Sequence, residues 1–181
     1  MKLRSRIAII CGKLAYWMVR KAGRGSGSAL PGRIARGIAP EILTELSGMV
    51  RKKVIAVTGT NGKTTTNHII AHVLEESGQR LVCNRLGANL LDGVITAFVL
   101  AAGADGKLDG DYACIEVDEL ASVEVFPKLK PDCVVLTNVF RDQLDRMGEV
   151  DLICNKIQKA IKSVPDARVV VNCDDICSYG L

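Results

Sequence analysis

The 181 residues are enough for one domain with a well-formed core, and 48% hydrophobic with 24% charged residues is typical of a folded globular protein. No apolar run approaches the roughly 20 residues that cross a bilayer, which excludes a membrane-spanning helix among these residues. The seven cysteines are scattered and odd in number, which favours a reducing, cytoplasmic location.

The net charge of +4 is concentrated at the amino terminus. Residues 1–40 contain nine Lys/Arg and no Asp/Glu, whereas residues 41–181 contain fifteen Lys/Arg and twenty Asp/Glu. On a helix at about 100° per residue, four basic side chains form a narrow stripe and apolar side chains fill much of the other side. The stripe is Lys2, Arg6, Lys13 and Arg20; the apolar side is Ile7, Ile10, Leu14, Trp17 and Met18.

Two interpretations of this helix stay open. Residues 1–22 could lie on the inner membrane face, against anionic head groups, or they could pack on their own protein with solvated charges. Arg4 and Lys21 interrupt the apolar side, which favours the second interpretation.

The next segments are irregular. The glycines and serines of residues 23–32 predict a flexible connector or a substrate-facing loop. Residues 34–50 predict short helices with Pro40 at a helix start. From residue 51 onwards, strands and helices alternate. Strands are expected at 54–57, 81–84, 112–117, 132–137 and 168–172, and helices at about 64–76, 90–102, 121–128 and 151–163.

This alternation predicts a doubly wound, mostly parallel α/β sheet over residues 51–181, preceded by a basic amino-terminal region over residues 1–50. In the first helix after residue 63, four apolar residues are expected to form the core face, and Gly78 to end the helix. Those four residues are Ile69, Ile70, Val73 and Leu74. Ligands of such sheets lie at the carboxyl ends of the strands.

The first strand runs into a glycine loop, a lysine and a row of hydroxyls. Glycines let backbone N–H groups approach phosphate oxygens, and the following helix adds positive partial charge. Lys63 would reach the β- and γ-phosphates of ATP, and the Thr64 hydroxyl would bind Mg²⁺. Val57 stands where the general phosphate-loop pattern has a glycine. The predicted ATP-binding residues here are Gly59, Thr60, Asn61, Gly62, Lys63, Thr64 and Thr65.

Other strands also end in polar clusters. Glu116 is the preferred Mg²⁺ ligand, while Asp118 and Glu119 either bind metal or cap the next helix. Asn138 and Asp142 are candidates for orienting water around Mg²⁺ or holding the γ-phosphate. Arg141 or Arg146 would neutralise charge that develops during phosphoryl transfer.

Asn172, after the last strand, would bind the adenine edge through its amide, or form an Asx turn. Cys173 and Cys177 provide at most half of a metal site.

Together these residues resemble the ATP-binding central domain of the Mur ligase family. The matching segments are residues 58–65, Glu116, residues 137–138 with Asp142 and Asp145, and residues 172–175. Residues 25–33, 116–119 and 138–149 are similar to one branch of that family, the ligase subunits of lipid II isoglutaminyl synthases.

The resemblance implies that ATP activates the α-carboxylate of D-glutamate in lipid II as an acyl phosphate. Ammonia from a GatD-like glutaminase subunit then gives D-isoglutamine. Lys63 and Asp142 would be catalytic, with ATP and Mg²⁺ as cofactors. Relatives continue into a zinc ribbon and a further domain, so Zn²⁺ is expected only in a longer chain. This chain corresponds to their amino-terminal portion and is expected to be inactive alone.

Two positions depart from the family pattern. Gln143 stands where most Mur ligases have a histidine that helps bind a second Mg²⁺, and Lys156 lies near the place of a carbamylated lysine. Two other functions stay open: an amino-acid ligase of the folylpolyglutamate synthetase type, and a non-catalytic ATP-binding or assembly module.

Overall fold

The computed structural model describes residues 1–23, 27–139 and 147–180. Five residues singled out from the sequence lie outside this description, so their predicted roles stay predictions. They are Arg141, Asp142, Gln143, Asp145 and Arg146.

The described residues form eight helices and five strands. The helices are α1 (Leu3–Lys21), α2 (Leu30–Ile38), α3 (Ile42–Ser47), α4 (Lys63–Glu76), α5 (Leu91–Ala101), α6 (Ser122–Leu129), α7 (Met147–Lys162) and α8 (Ile176–Tyr179). The strands are β1 (Lys53–Thr58), β2 (Leu81–Cys83), β3 (Tyr112–Glu116), β4 (Cys133–Leu136) and β5 (Arg168–Val171). Each predicted strand is present, with ends that differ by at most one residue.

The five strands form one parallel sheet in the order β2-β3-β1-β4-β5, which confirms the predicted architecture. β1 lies at the centre, and its register pairs Val57 with Glu116 of β3 and Thr58 with Leu136 of β4. The carboxyl ends of these three strands therefore meet at one edge of the sheet. The connection after β1 leads towards β2, whereas the connection after the neighbouring β4 leads to β5 on the opposite side, and ligands bind at such a switch point.

The core lies between the sheet and the helices that flank it. Its large, fully buried side chains include Phe98 of α5, Phe126 of α6 and Ile115 of β3. The central strands are apolar on both faces, as expected for a parallel sheet covered by helices. This packing holds the carboxyl edge of the sheet in a fixed geometry.

The predicted core face of α4 is wrong in part. Ile69 and Val73 are 60% and 59% exposed, and the residues that face the sheet most closely are Asn67 and Ala71. These two are small, so α4 can lie close to the sheet. The helix ends at Glu76, and Gly78 follows with φ of 76°, as predicted.

Asn67 connects α4 to two strands. Its side-chain amide donates to the Cys83 sulfur at 3.3 Å, and the Cys114 thiol donates to its Oδ1 at 2.8 Å. Burial raises the pKa of the Cys114 thiol to about 12, so the thiol stays neutral and behaves as a small core residue.

The amino-terminal region is a layer of helices on the side of α5. α1 packs on α2 and α5, and α3 packs on α5 and α6. The predicted connector is shorter than expected, because α2 begins at Leu30 with Pro31 in its first turn. Pro40 lies two residues before α3. Across the described ranges, no helix has the length and apolar character needed to traverse a bilayer.

The closest helix contact in this layer is at Gly32 of α2. Its N–H donates to the Thr96 hydroxyl of α5 at 2.9 Å, and a Cβ at Gly32 would overlap the Asp92 carbonyl oxygen. Gly37 lies on the same helix, but a Cβ added there would meet no atom within 4 Å. A side chain is therefore excluded at Gly32 and has free space at Gly37.

We predict that Gly32→Ala lowers the free energy of unfolding by about 3 kcal/mol, because α2 and α5 must separate. Gly37→Ala should raise it by about 0.5–1 kcal/mol, since alanine is the better helix former. Denaturant unfolding of both variants measures this difference. Equal effects of the two substitutions would contradict the packing described.

Candidate functional site

The turn from β1 into α4 has the backbone shape of an anion-binding loop. Gly59 has φ of 123° and Gly62 has φ of 80°, conformations that L-residues rarely adopt. Gly62 is the N-cap of α4, and no side chain among the described residues caps this helix. The N–H groups of its first turn therefore remain available to an anion.

The loop is fastened to the end of β4. Asn61 N–H donates to Asn138 Oδ1 at 2.9 Å, and the Asn61 carbonyl accepts from Asn138 Nδ2 at 3.0 Å and from the Thr137 hydroxyl at 2.8 Å. Thr60 N–H donates to the Asn138 carbonyl at 2.8 Å. A Cβ on Gly59 would overlap the Thr137 hydroxyl, so only glycine allows this approach. The structure thus brings the predicted Asn138 to the loop.

Lys63 is folded back against its own loop. Its ammonium donates to the Gly59 carbonyl at 2.5 Å, the Thr60 carbonyl at 3.1 Å and Glu119 Oε1 at 3.1 Å. The Lys63 and Glu119 side chains are only 13% and 10% exposed. The cation therefore lies at the loop, paired with one carboxylate.

Glu116 ends β3 beside β1 and is buried. Asn89 Nδ2 donates to the Glu116 carboxylate at 3.1 Å. The Asn84 side chain binds the Glu116 backbone on both sides: it accepts from the Glu116 N–H at 2.9 Å and donates to the Glu116 carbonyl at 2.8 Å. Among the described residues no basic side chain pairs with this buried carboxylate, whose side-chain partner is a neutral amide, so the position suits a cation. Asn84 and Asn89 were not singled out from the sequence, although Asn84 follows a strand end.

The two acids after Glu116 have different roles. Asp118 accepts from the N–H groups of Leu120 at 3.0 Å and Ala121 at 3.2 Å, so it caps the turn into α6, one of the two expectations. Glu119 directs its carboxylate to Lys63 instead. Sequence spacing could not show this pairing, because the two residues are 56 positions apart.

The end of β5 supports β4 from the other side. Asn172 Oδ1 accepts from Asp174 N–H at 3.1 Å, which is the Asx turn considered above, and its adenine contact stays a prediction. Asp175, which the sequence analysis matched to the family without assigning it a role, is buried and accepts from Val139 N–H at 2.8 Å and from the Ser178 N–H and hydroxyl. It therefore fixes the backbone next to Asn138.

These features fit a nucleoside triphosphate with Mg²⁺. The loop presents glycines, uncapped N–H groups and a lysine, and the Thr64 and Thr65 hydroxyls are exposed in the first turn of α4. The Thr58 hydroxyl, at the end of β1, is buried with no hydrogen-bond partner in the described structure. No group of three or more His, Cys, Asp and Glu forms a metal cluster among the described residues. Mg²⁺ commonly takes one or two carboxylates and completes its shell with phosphates and water.

Three further predicted residues lie away from the loop in sequence. Lys156 is half-buried on α7, Cys173 is exposed and Cys177 is half-buried, and both thiols are free. Their roles as a carbamylated lysine and as zinc ligands stay predictions.

Comparison with known proteins places this geometry in a family. The profile described as Mur ligase middle domain matches residues 57–179, from the end of β1 into α8. The chain therefore belongs to the Mur ligase family, as its motifs indicated. It is 34% identical over 179 residues to the lipid II isoglutaminyl synthase (glutamine-hydrolyzing) subunit MurT of Streptococcus pneumoniae, a match that covers 99% of this chain and 39% of the relative.

A second relative gives the same result. The MurT subunit of Staphylococcus aureus strain COL is 36% identical over 173 residues, covering 96% of this chain and 38% of that protein. The chain thus spans about two-fifths of the length of these curated relatives and matches their amino-terminal portion.

Solved structures confirm the fold. MurF from Acinetobacter baumannii superposes with a TM-score of 0.64 at 22% identity, over 82% of this chain and 32% of that one. MurF from Thermotoga maritima, solved in complex with ADP, gives a TM-score of 0.64 at 23% identity, over 78% and 33%. The α/β architecture is that of Mur ligases.

We predict that Asp175→Asn destabilises the fold in a pH-dependent way. Burial alone would raise the pKa of Asp175, but hydrogen bonds from Ser178 and Val139 outweigh it and hold the pKa below its usual value. The stabilisation by the ionised carboxylate is present above the unfolded-state pKa of about 3.9 and is lost as pH falls through the lower folded-state pKa.

Denaturant unfolding should therefore show a loss of about 1–3 kcal/mol for Asp175→Asn at pH 7, and a smaller loss in acid. Asp174→Asn, an exposed neighbour, is the matched control and should change stability little at either pH. A loss that does not shrink in acid would contradict the role of the ionised carboxylate.

Proposed function

We propose that this chain carries the ATP site of a ligase that converts the α-carboxylate of D-glutamate in lipid II to the amide of D-isoglutamine, with ammonia from a GatD-like glutaminase subunit. Membership of the Mur ligase family supports an ATP-dependent ligase. The identity of 34–36% to MurT subunits over nearly the whole chain supports the amidating branch and a partner subunit.

The observation that carries the proposal is the glycine loop fastened to β4 by Asn138, with Lys63 held at its mouth. A carboxylate is a poor electrophile, and ATP supplies the phosphoryl group that makes it an acyl phosphate. A site for this chemistry must bind concentrated negative charge and orient it rigidly. The fastened loop provides that rigidity.

Lys63 changes partners in this proposal. Before nucleotide binding it donates to two loop carbonyls and to Glu119. Phosphate oxygens carry more negative charge than carbonyls, so the ammonium turns to them when the triphosphate enters the loop. The first-turn N–H groups of α4 then complete the cradle around the phosphates.

Two carboxylates remain for the cation. Glu116 is held by Asn89 at the end of β3, and the Thr64 hydroxyl lies at the start of α4. We assign Mg²⁺ to the Glu116 carboxylate and the Thr64 hydroxyl. The second carboxylate, that of Glu119, becomes available beside them once Lys63 has turned to phosphate. Asp142 is assigned to the reacting end of the site on the strength of the family pattern.

The test combines the intact ligase chain with its glutaminase subunit, lipid II, glutamine and Mg·ATP. Phosphate release should require both lipid II and glutamine, and the product should carry a carboxamide in place of one carboxyl group. Phosphate release that requires glutamate as the nucleophile would instead identify a reaction of the folylpolyglutamate synthetase type. ATP binding without any turnover would identify a non-catalytic module, and either result overturns the proposal.

In the same assay we predict that Lys63→Ala lowers turnover about a hundredfold or more, because the developing phosphoryl charge loses a preorganised donor. Lys63→Arg should not restore activity, since a planar guanidinium does not replace a compact ammonium in a narrow loop. Lys107→Ala, at a side chain that is 88% exposed, is the matched control and should keep full activity.

Circular dichroism of each variant separates loss of function from loss of fold. A folded Lys63→Ala chain with unchanged turnover would contradict the assigned role of Lys63.

A further inference from the structure

Helix α1 presents its large apolar side chains to solvent. Six of them are between 43% and 73% exposed, and they recur at helical spacing along its whole length. They are Leu3, Ile7, Ile10, Leu14, Trp17 and Met18. At about 100° per residue they occupy one stripe, opposite the face that α1 buries.

The buried face is made of smaller residues. It consists of Ser5, Ala8, Ile9, Gly12 and Ala15. Gly12 is in close contact with the layer beneath, because a Cβ there would lie 2.8 Å from Val99 Cγ1 and 3.1 Å from the Pro31 carbonyl oxygen. α1 is thus anchored to α2 and α5 through a face on which only Ile9 is large, and the outer stripe is exposed among the described residues.

Arg4 and Lys21 interrupt the apolar side of α1 in the sequence pattern, but in the structure they do not interrupt the exposed apolar stripe. Arg4 bends towards α2, and its Nε donates to the Ile38 carbonyl at the end of that helix. Lys21 lies in the last turn, with its ammonium 4.8 Å from the centroid of the Trp17 ring. The apolar stripe is therefore continuous from Leu3 to Met18.

Positive charge borders this stripe. Lys2, Lys13 and Arg20 lie along one edge, and residues 1–40 contain no acidic residue. A stripe of this size needs a partner that accepts apolar side chains, and the basic border requires that partner to be anionic. An anionic phospholipid surface meets both requirements, with acyl chains for the stripe and head groups for the cations.

We propose that α1 docks this protein on an anionic membrane surface, with the helix axis in the plane of the interface. The leucines, isoleucines and Trp17 enter the boundary between head groups and acyl chains, and the lysines and arginine bind lipid phosphates. The stripe from Leu3 to Met18 covers about 24 Å of the helix length, at about 1.5 Å per residue. The proposal stands on α1 alone and does not depend on the ligase reaction.

The chain contains its own reporter, because Trp17 is its single tryptophan. Titration of the 181-residue chain with vesicles of phosphatidylglycerol and phosphatidylcholine should shift Trp17 fluorescence to shorter wavelength and carry the protein to the vesicle fraction. Vesicles of phosphatidylcholine alone should bind at least tenfold more weakly. Added salt should weaken binding to the anionic vesicles, because it screens the exposed charges.

Substitutions on and away from α1 test which surface of the protein binds the vesicles. Leu14→Glu should reduce vesicle binding at least tenfold, because a charge must enter the apolar boundary. Leu152→Glu, at an exposed leucine of α7, is the matched control and should bind as the parent does. Lys13→Gln with Arg20→Gln should weaken binding about fivefold for each charge removed.

Three outcomes overturn the proposal. One is the absence of vesicle binding, and another is unchanged binding by folded Leu14→Glu. The third is concentration-dependent self-association of the parent, abolished by Leu14→Glu and without vesicle binding, which would assign the stripe to a second copy of the chain. Circular dichroism confirms that each variant is folded.

Discussion

The contact between the loop after β1 and the end of β4 is the constraint on which the rest of the site depends. Gly59 lies so close to Thr137 that a side chain has no room, and Asn138 holds Asn61 from both its N–H and its carbonyl side. The direction of α4, the free N–H groups of its first turn and the position of Lys63 all follow from this contact. Asp175 extends the support to β5 by holding Val139.

The ion pair with Glu119 holds the positive charge of Lys63 at the loop. Both side chains are largely shielded from water, so each charge would be costly without the other. The same shielding strengthens the attraction of Lys63 for any stronger anion that enters the loop. Pairing with a carboxylate keeps the lysine at the loop while leaving it free to exchange partners.

The amino-terminal layer divides its side chains in an unusual way. A surface helix ordinarily buries its large apolar residues and exposes its polar ones. α1 buries serine, alanine and glycine with a single isoleucine, and it exposes leucine, isoleucine, methionine and tryptophan. Close packing through small residues on one side leaves the other side exposed, so attachment to the domain does not compete with the proposed docking on a membrane.

Local patterns in the sequence predicted a large part of this structure. Alternating apolar runs and amphipathic segments predicted the five strands and the parallel sheet, because strand and helix periods are properties of short segments. The glycines and Lys63 after β1 predicted the loop. The rule that parallel strands end at one edge predicted that Glu116 and Asn138 would lie near it.

Tertiary structure decided which side chains meet. The sequence predicted a core face of α4 that included Ile69 and Val73. In the structure Asn67 and Ala71 face the sheet instead, because Asn67 hydrogen-bonds Cys83 of β2 and Cys114 of β3. The pairing of Glu119 with Lys63 and the support of Val139 by Asp175 join residues far apart in the chain. Periodicity shows that a helix has two faces, whereas only the packing of α1 on α2 and α5 determined which face remains outside.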